Sequence, residues 1–292
     1  MRARSSRGFQ LSHLAFLGLI FHGFTGGVPG ARAAEEQPFP LTRVYKTIRD
    51  VSLSLTVYQP APSSTAELRP ALVFFFGGGW TKGNPSQFEP HCRHFAQLGL
   101  VGITVDYRVR DRHGTTPLAS IADARSAIRW VRAHSASLGV DPNRIVASGG
   151  SAGGHLAAAA AFIDAFDEPS DDKSVSAVPN ALILFNPALD TSRLRTDRGF
   201  GTEAERASPL RHVKPGAPPT IIFHGTADET VPFEVAESFT KRMLELGNRC
   251  ELVPYEGRGH GFFNHREGKG KDYADTIRRM EGFLREVGFL QR

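Results

Sequence analysis

Cysteine is nearly absent: Cys92 and Cys250 are the only two in 292 residues. They form no C-x-x-C spacing, so no metal site is expected. Far apart in sequence, they have nothing local to enforce a bridge, and the sequence leaves their pairing open. Repeats and low-complexity segments are missing, and no linker is long enough to divide the chain, which argues for one domain. No basic tract has the footprint of a nucleic-acid binder, because Arg108, Arg110 and Arg112 are offset by Asp106 and Asp111. No apolar run is long enough to cross a bilayer well: the one at 14–24 is short and interrupted by His22 and Gly23.

That run has a different reading. Arg2, Arg4 and Arg7 precede it, and Ala31-Arg32-Ala33 has the small-x-small form of a signal-peptidase site. Residues 1–33 are expected to be a secretory signal cleaved near Ala33, with no stable membrane insertion afterwards and a secreted or periplasmic product. The absence of cysteine near the site argues against a lipoprotein. The leader carries four arginines and no acids, so its removal takes the formal charge from +5 to +1. The remaining 259 residues suffice for one large α/β domain with a well-buried core.

Alternation of apolar and polar residues at 41–49 and 51–58 predicts an antiparallel hairpin. Pro60, Pro62, Ser63 and Ser64 make a loop. Short apolar runs at 71–76, 101–106, 145–148, 181–185, 220–224 and 250–255 then alternate with helical stretches near 87–98, 118–138, 152–165, 233–246 and 272–287. That order predicts an α/β fold: a mostly parallel central sheet with an antiparallel N-terminal hairpin and helices on both faces. Ligands in such a sheet gather beyond the strands' C-terminal ends. The stretch 188–219 fits neither pattern, lies on that side, and is expected to be a short cap or lid.

The glycines are clustered where chemistry is expected. Gly149-Gly150-Ser151-Ala152-Gly153 matches G-x-S-x-G between a strand and an alanine-rich helix, the context in which a serine hydroxyl is exposed on a sharp turn. A dinucleotide or P-loop reading fails, since neither G-x-G-x-x-G nor the P-loop lysine is present. A carboxylate and a histidine follow in the order that chemistry needs: Asp228 in G-T-A-D-E-T-V-P just past one strand, and His260 in G-R-G-H-G-F-F just past the next. Glu229 or Asp190 are the rival acids, and His224 or His265 the rival bases.

These blocks, with F-G-G-G-W at 76–80 and D-Y-R at 106–108, resemble the α/β-hydrolase superfamily, specifically the secreted acetyl-esterase and feruloyl-esterase-like branch related to hormone-sensitive-lipase-type carboxylesterases. The resemblance covers essentially the whole chain after the leader. It implies that Ser151 attacks an ester carbonyl, His260 relays the proton and Asp228 orients the imidazole, with no cofactor. It also implies an oxyanion hole from the N–H groups of Gly78, Gly79 and Ala152. Related esterases usually write the loop H-G-G-G; here Phe76 stands where the histidine does, which leaves the loop's bracing in question. Trp80 is expected to line the acyl or alcohol pocket, with helix packing nearly as strong an alternative.

The remaining polar residues read as structural. Arg108 and Asp123 should brace a strand end against a helix, His155 should be packed in its helix, and the acidic stretch 167–172, which lacks EF-hand spacing, should be a solvated loop. The expected function is a secreted serine carboxylesterase removing acetyl or feruloyl groups, on carbohydrate or another small-molecule or polysaccharide-linked ester. Peptidase, polyester, lactone or formamide hydrolysis are alternatives within the fold, and a catalytically inactive binding protein is one outside the enzymes. The oligomeric state is left open.

Overall fold

A computed structural model describes residues 40–62, 67–194 and 198–291. The expected signal segment, and Ser63 and Ser64 of the expected loop, lie outside the described residues. Among those described, no helix is long and apolar enough to cross a membrane.

Among the described residues eight strands form one sheet: β1 (Leu41–Ile48), β2 (Val51–Tyr58), β3 (Arg69–Phe75), β4 (Val101–Val105), β5 (Val140–Gly150), β6 (Ala181–Phe185), β7 (Thr220–Gly225) and β8 (Cys250–Tyr255). Their order is β1-β2-β4-β3-β5-β6-β7-β8. The β1/β2 and β2/β4 pairs are antiparallel, and every other pair is parallel. The chain runs outward from β3 to β4 on one side and from β5 to β8 on the other, so the crevice between β3 and β5 is the switch point where such sheets bind ligands. Both glycine clusters emerge there.

The helices are α1 (Glu89–Gln97), α2 (Arg110–His113), α3 (Pro117–Ala133), α4 (Ser135–Leu138), α5 (Ala152–Phe162), α6 (Phe233–Glu245) and α7 (Lys271–Glu286). Alternate residues of β3 show how the core divides. Ala71, Val73 and Phe75 join the cluster with α3, α5 and α6, whereas Leu72 and Phe74 join the cluster with α1 and α7. Burial of both faces explains why the central strands read as unbroken apolar runs. Helix α5 is buried along its whole length. Its alanines and glycines let it lie close behind β5, where larger residues would hold it off.

The observed bounds differ from the expected ones in ways that have causes. Strand β5 continues through Gly149 and Gly150, because Phe75 and Phe185 on the neighbouring strands pair with them; the ladder overrides glycine's poor strand propensity. The stretch expected as one helix at 118–138 breaks into α3 and α4, ending at Gly139 in the left-handed region. In β1 the register shifts between Val44 and Lys46, and Tyr45 and Lys46 are consecutively buried. This bulge turns a lysine inward.

The stretch 167–172 is only in part a solvated loop: Pro169, Ser170 and Asp172 are exposed, but its other three acids are ion-paired. Asp167 pairs with Arg125 at 2.5 Å and Arg129 at 2.7 Å, Asp171 pairs with Arg129 at 3.0 Å, and Glu168 reaches Lys46 and Arg108 at 3.0 Å each. Asp123 completes the cluster, 2.7 Å from both Lys46 and Arg108. The Arg108–Asp123 brace is therefore present inside a larger network, which is mostly buried. Cys92 and Cys250 are buried free thiols; one lies under β4 and the other on β8, near opposite ends of the sheet.

Candidate active site

Ser151 sits between β5 and α5 with φ 56° and ψ −119°. A non-glycine residue there is strained, and the surroundings hold it. Its N–H donates to the Phe185 carbonyl at 2.9 Å, and its carbonyl accepts from His155 N–H at 2.9 Å. A Cβ on Gly153 would come within 2.0 Å of the Phe75 carbonyl oxygen, so helix, turn and β3 are packed to backbone contact.

The loops after β7 and β8 bring the other two expected residues to this turn. His260 Nε2 is 2.9 Å from Ser151 Oγ, and His260 Nδ1 is 2.7 Å from Asp228 Oδ2. Asp228 Oδ1 accepts from the N–H groups of Thr230 at 2.8 Å and Val231 at 2.9 Å. Burial alone would raise the Asp228 pKa, but hydrogen bonds from His224, His260 and the Val231 amide hold it well below the usual carboxylate range. A charged acceptor on Nδ1 favours the tautomer whose Nε2 can accept the serine proton.

The rivals take other places. His224 is buried, donates from Nε2 to the Val231 carbonyl at 3.0 Å and stands 3.4 Å from Asp228 Oδ2, so it supports the acid rather than touching the serine. His265 is exposed and packs edge-on against Tyr273. Asp190 accepts from Ser192 and Ser208 beside a short 3-10 turn at Thr191–Arg193. Glu229 is exposed.

Gly78 and Gly79, with φ of 132° and 62°, form the turn after β3. A Cβ on Gly78 would fall 2.1 Å from the Lys82 carbonyl oxygen. None of the hydrogen bonds among the described residues uses the N–H groups of Gly78, Gly79 or Ala152. All three line, or adjoin through Ser151, a cavity of about 560 Å³ that also contains His260.

Tyr107, from the D-Y-R block, and two residues that nothing in the sequence marked, Gln87 and Asn264, brace this loop. The Phe76 ring stacks on Tyr107 at 4.0 Å, and Tyr107 Oη donates to the Phe76 carbonyl at 2.6 Å. An aromatic pair plus one hydrogen bond thus stands where related loops have a histidine. Gln87 Oε1 accepts from Gly77 N–H at 2.7 Å, and its Nε2 donates to Asn264 Oδ1 at 2.9 Å. The D-Y-R block was a visible signal for Tyr107; nothing local marked Gln87 or Asn264.

Trp80 lines the cavity and is also packed: it is 3% exposed, donates from Nε1 to His155 Nδ1 at 3.2 Å, and meets Phe200 edge-on. His155 in turn donates from Nε2 to the Ala207 carbonyl at 2.8 Å. Burial lowers its pKa to about 4, so it is neutral at ordinary pH. It ties Trp80 in the cavity lining to the stretch 188–219, whose described residues carry three short 3-10 turns; 195–197 within it lie outside the described residues. Among the described residues no group of three or more His, Cys, Asp or Glu is placed to hold a metal.

The fold and this serine-centred site define the α/β-hydrolase class. Residues 55–187 and 195–243 match the BD-FAE family model, and the chain belongs to that family. It is similar to the probable carboxylic ester hydrolase LipM of Mycobacterium tuberculosis, with 29% identity covering 75% of this chain and 58% of LipM. The chain thus spans little more than half the length of the first curated relatives it matches. Among solved structures it resembles esterase 2 of Thermogutta terrifontis in native, paraoxon-phosphorylated and propionate-bound forms. Each is 50% identical with a TM-score of 0.83, covering 88–90% of this chain and 95–100% of theirs.

Proposed function

We propose that the protein is a serine carboxylesterase acting on short-chain acyl esters through an acyl-enzyme. The observation that carries this reading is the continuous hydrogen-bonded line Ser151–His260–Asp228, at 2.9 and 2.7 Å, opening onto a cavity beside three unused backbone amides.

In the first half-reaction Ser151 Oγ bonds to the carbonyl carbon while its proton passes to His260 Nε2. The negative charge that develops on the carbonyl oxygen is met by Gly78, Gly79 and Ala152 N–H, each worth about 10²–10³ in rate where such donors have been removed. Asp228 balances the imidazolium. Collapse of the tetrahedral species breaks the bond to the alcohol, which leaves with the proton from His260. Water then repeats the sequence on the acyl-enzyme and returns the carboxylic acid and free Ser151.

A cavity of about 560 Å³ suits a small acyl group, and the Thermogutta esterase is described with propionate and with butyrate bound. Acetyl is the acyl group proposed first, feruloyl second, with a carbohydrate as alcohol and export by cleavage near Ala33. The test is hydrolysis of aryl esters of increasing chain length together with acetylated xylan and methyl ferulate, with Ser151→Ala as control. Equal rates for the variant and the parent protein overturn the assignment of Ser151. A higher kcat/KM for feruloyl than for acetyl reverses the order of acyl groups.

A further inference from the structure

We infer that the active-site cavity carries an anion subsite, made by Lys82 and Arg198, and that the preferred esters bear a carboxylate close to the scissile bond. The inference rests on the esterase reading above and narrows its substrate class.

Both cations line the same cavity as Ser151 and His260, and among the described residues no aspartate or glutamate lines it with them. Neither forms an ion pair among the described residues, whereas their neighbours on the adjoining elements do: Arg108 with Asp123, Arg110 with Asp111, and Arg112 with Asp106. Both residues are exposed as well as lining the cavity. Lys82 N–H donates to the Gly78 carbonyl at 3.2 Å, which fixes the turn that presents its side chain. On the other side, an Arg198 guanidinium nitrogen stands 3.7 Å from where a Cβ on Gly79 would lie. Lys82 through its backbone and Arg198 through its guanidinium therefore adjoin the two glycines offered as oxyanion donors.

Cations that line a cavity and have no carboxylate beside them among the described residues raise the local concentration of anions and repel cations. The planar fork of arginine matches a carboxylate, and the lysine adds a mobile second charge. A carboxylate can reach this place from either half of an ester: from the alcohol, as in an acylated uronic acid, or from the acyl group, as in a hemiester of a dicarboxylic acid.

Three esters separate these sources. Phenyl acetate is neutral, 4-acetoxybenzoate has the carboxylate on the alcohol half, and monophenyl succinate has it on the acyl half. Values of kcat/KM at low ionic strength are compared for the parent protein and for Lys82→Met, Arg198→Met and the double variant, each carboxylate ester being normalised to phenyl acetate in the same protein. The ratio for at least one carboxylate ester should fall about fivefold to tenfold in the double variant, as expected for two exposed charge contacts. The same ratio in the parent protein should shrink as salt is added.

An equal fall for all three esters would make the two cations general stabilisers of the transition state and overturn the subsite. Ratios that ignore both substitutions would overturn it as well. Turnover of phenyl acetate by the variants reports that they fold. A parent protein that turns over none of the three and is not labelled at Ser151 by an organophosphate would overturn the esterase reading and the subsite with it; labelling with turnover of phenyl acetate confines any failure to the subsite.

Discussion

Gln87 and Asn264, 177 positions apart, are joined by a 2.9 Å hydrogen bond from Nε2 to Oδ1. Gln87 also holds Gly77 N–H, and Asn264 donates to the Gly261 carbonyl at 2.9 Å. The loop offering the oxyanion donors is thus fastened through two side chains to the loop carrying His260. Catalysis by positioned dipoles needs both loops held in the same frame.

Gln87→Ala removes both hydrogen bonds at once. It should lower kcat about tenfold, the equivalent of about 1.4 kcal/mol in transition-state binding, with KM changed little. Steady-state kinetics on a short aryl ester measure this, and an unchanged kcat would mean that the two loops hold their frame independently.

Phe76 and Tyr107 answer how a loop of this kind stands without the usual histidine. Tyr107→Phe keeps the stacked ring and deletes only the bond to the Phe76 carbonyl, leaving that buried oxygen short of a donor; about 1–2 kcal/mol of stability should be lost. Phe76→Ala removes the ring itself and should cost about 3–5 kcal/mol. Urea unfolding checks both, and a smaller loss for Phe76→Ala than for Tyr107→Phe would assign the bracing to the hydrogen bond rather than the ring.

What was legible in the sequence follows from how local each signal is. Ser151, Asp228 and His260 each lie in a short block whose turn chemistry and place after a strand can be read without knowing the partner. Strand order on the Ser151 side follows from the same alternation of strand and helix. The ion cluster was not legible, because Asp167 looks like a solvated acid until Arg125 and Arg129, one turn apart on α3, are known to face it across the fold. Lys46 was hidden in the same way: only the bulge in β1 turns it inward. Gln87 lies in a short 3-10 turn at the start of an expected helix and Asn264 in a bend, and they matter only through each other.

Asp228 was expected as the acid, with Asp190 and Glu229 as rivals. Asp228→Asn keeps the shape of the side chain but lets it present its amide to His260 Nδ1, which favours the wrong tautomer. A fall in kcat of about 10³–10⁴ is expected by analogy with serine proteases. Asp190→Asn and Glu229→Gln should stay within about threefold, since neither contacts the imidazole. A large loss in either control, with little in Asp228→Asn, would move the acid assignment to that residue.

The buried ion cluster predicts a specific pH dependence of stability. Burial alone would raise the Asp167 pKa, but Arg125 and Arg129 bring it down to about 2, against about 3.9 for an ordinary aspartate. The folded-state value is depressed, so its stabilisation is complete above the unfolded value and is lost as pH falls through the folded one. The difference amounts to about 2 kcal/mol, present above about pH 5 and fading between pH 4 and pH 2. Breaking the pair with Asp167→Asn leaves Arg125 without its carboxylate, which makes the variant less stable at neutral pH. The gap in unfolding free energy between parent and variant should therefore be constant from neutral pH to about pH 5 and narrow steadily below pH 4, where the parent aspartate also becomes neutral. Denaturant titrations at several pH values measure that gap directly. A gap of the same size at pH 5 and pH 2.5 would show that Asp167 is not held ionised by the two arginines, and that its contribution comes from packing and neutral hydrogen bonds instead.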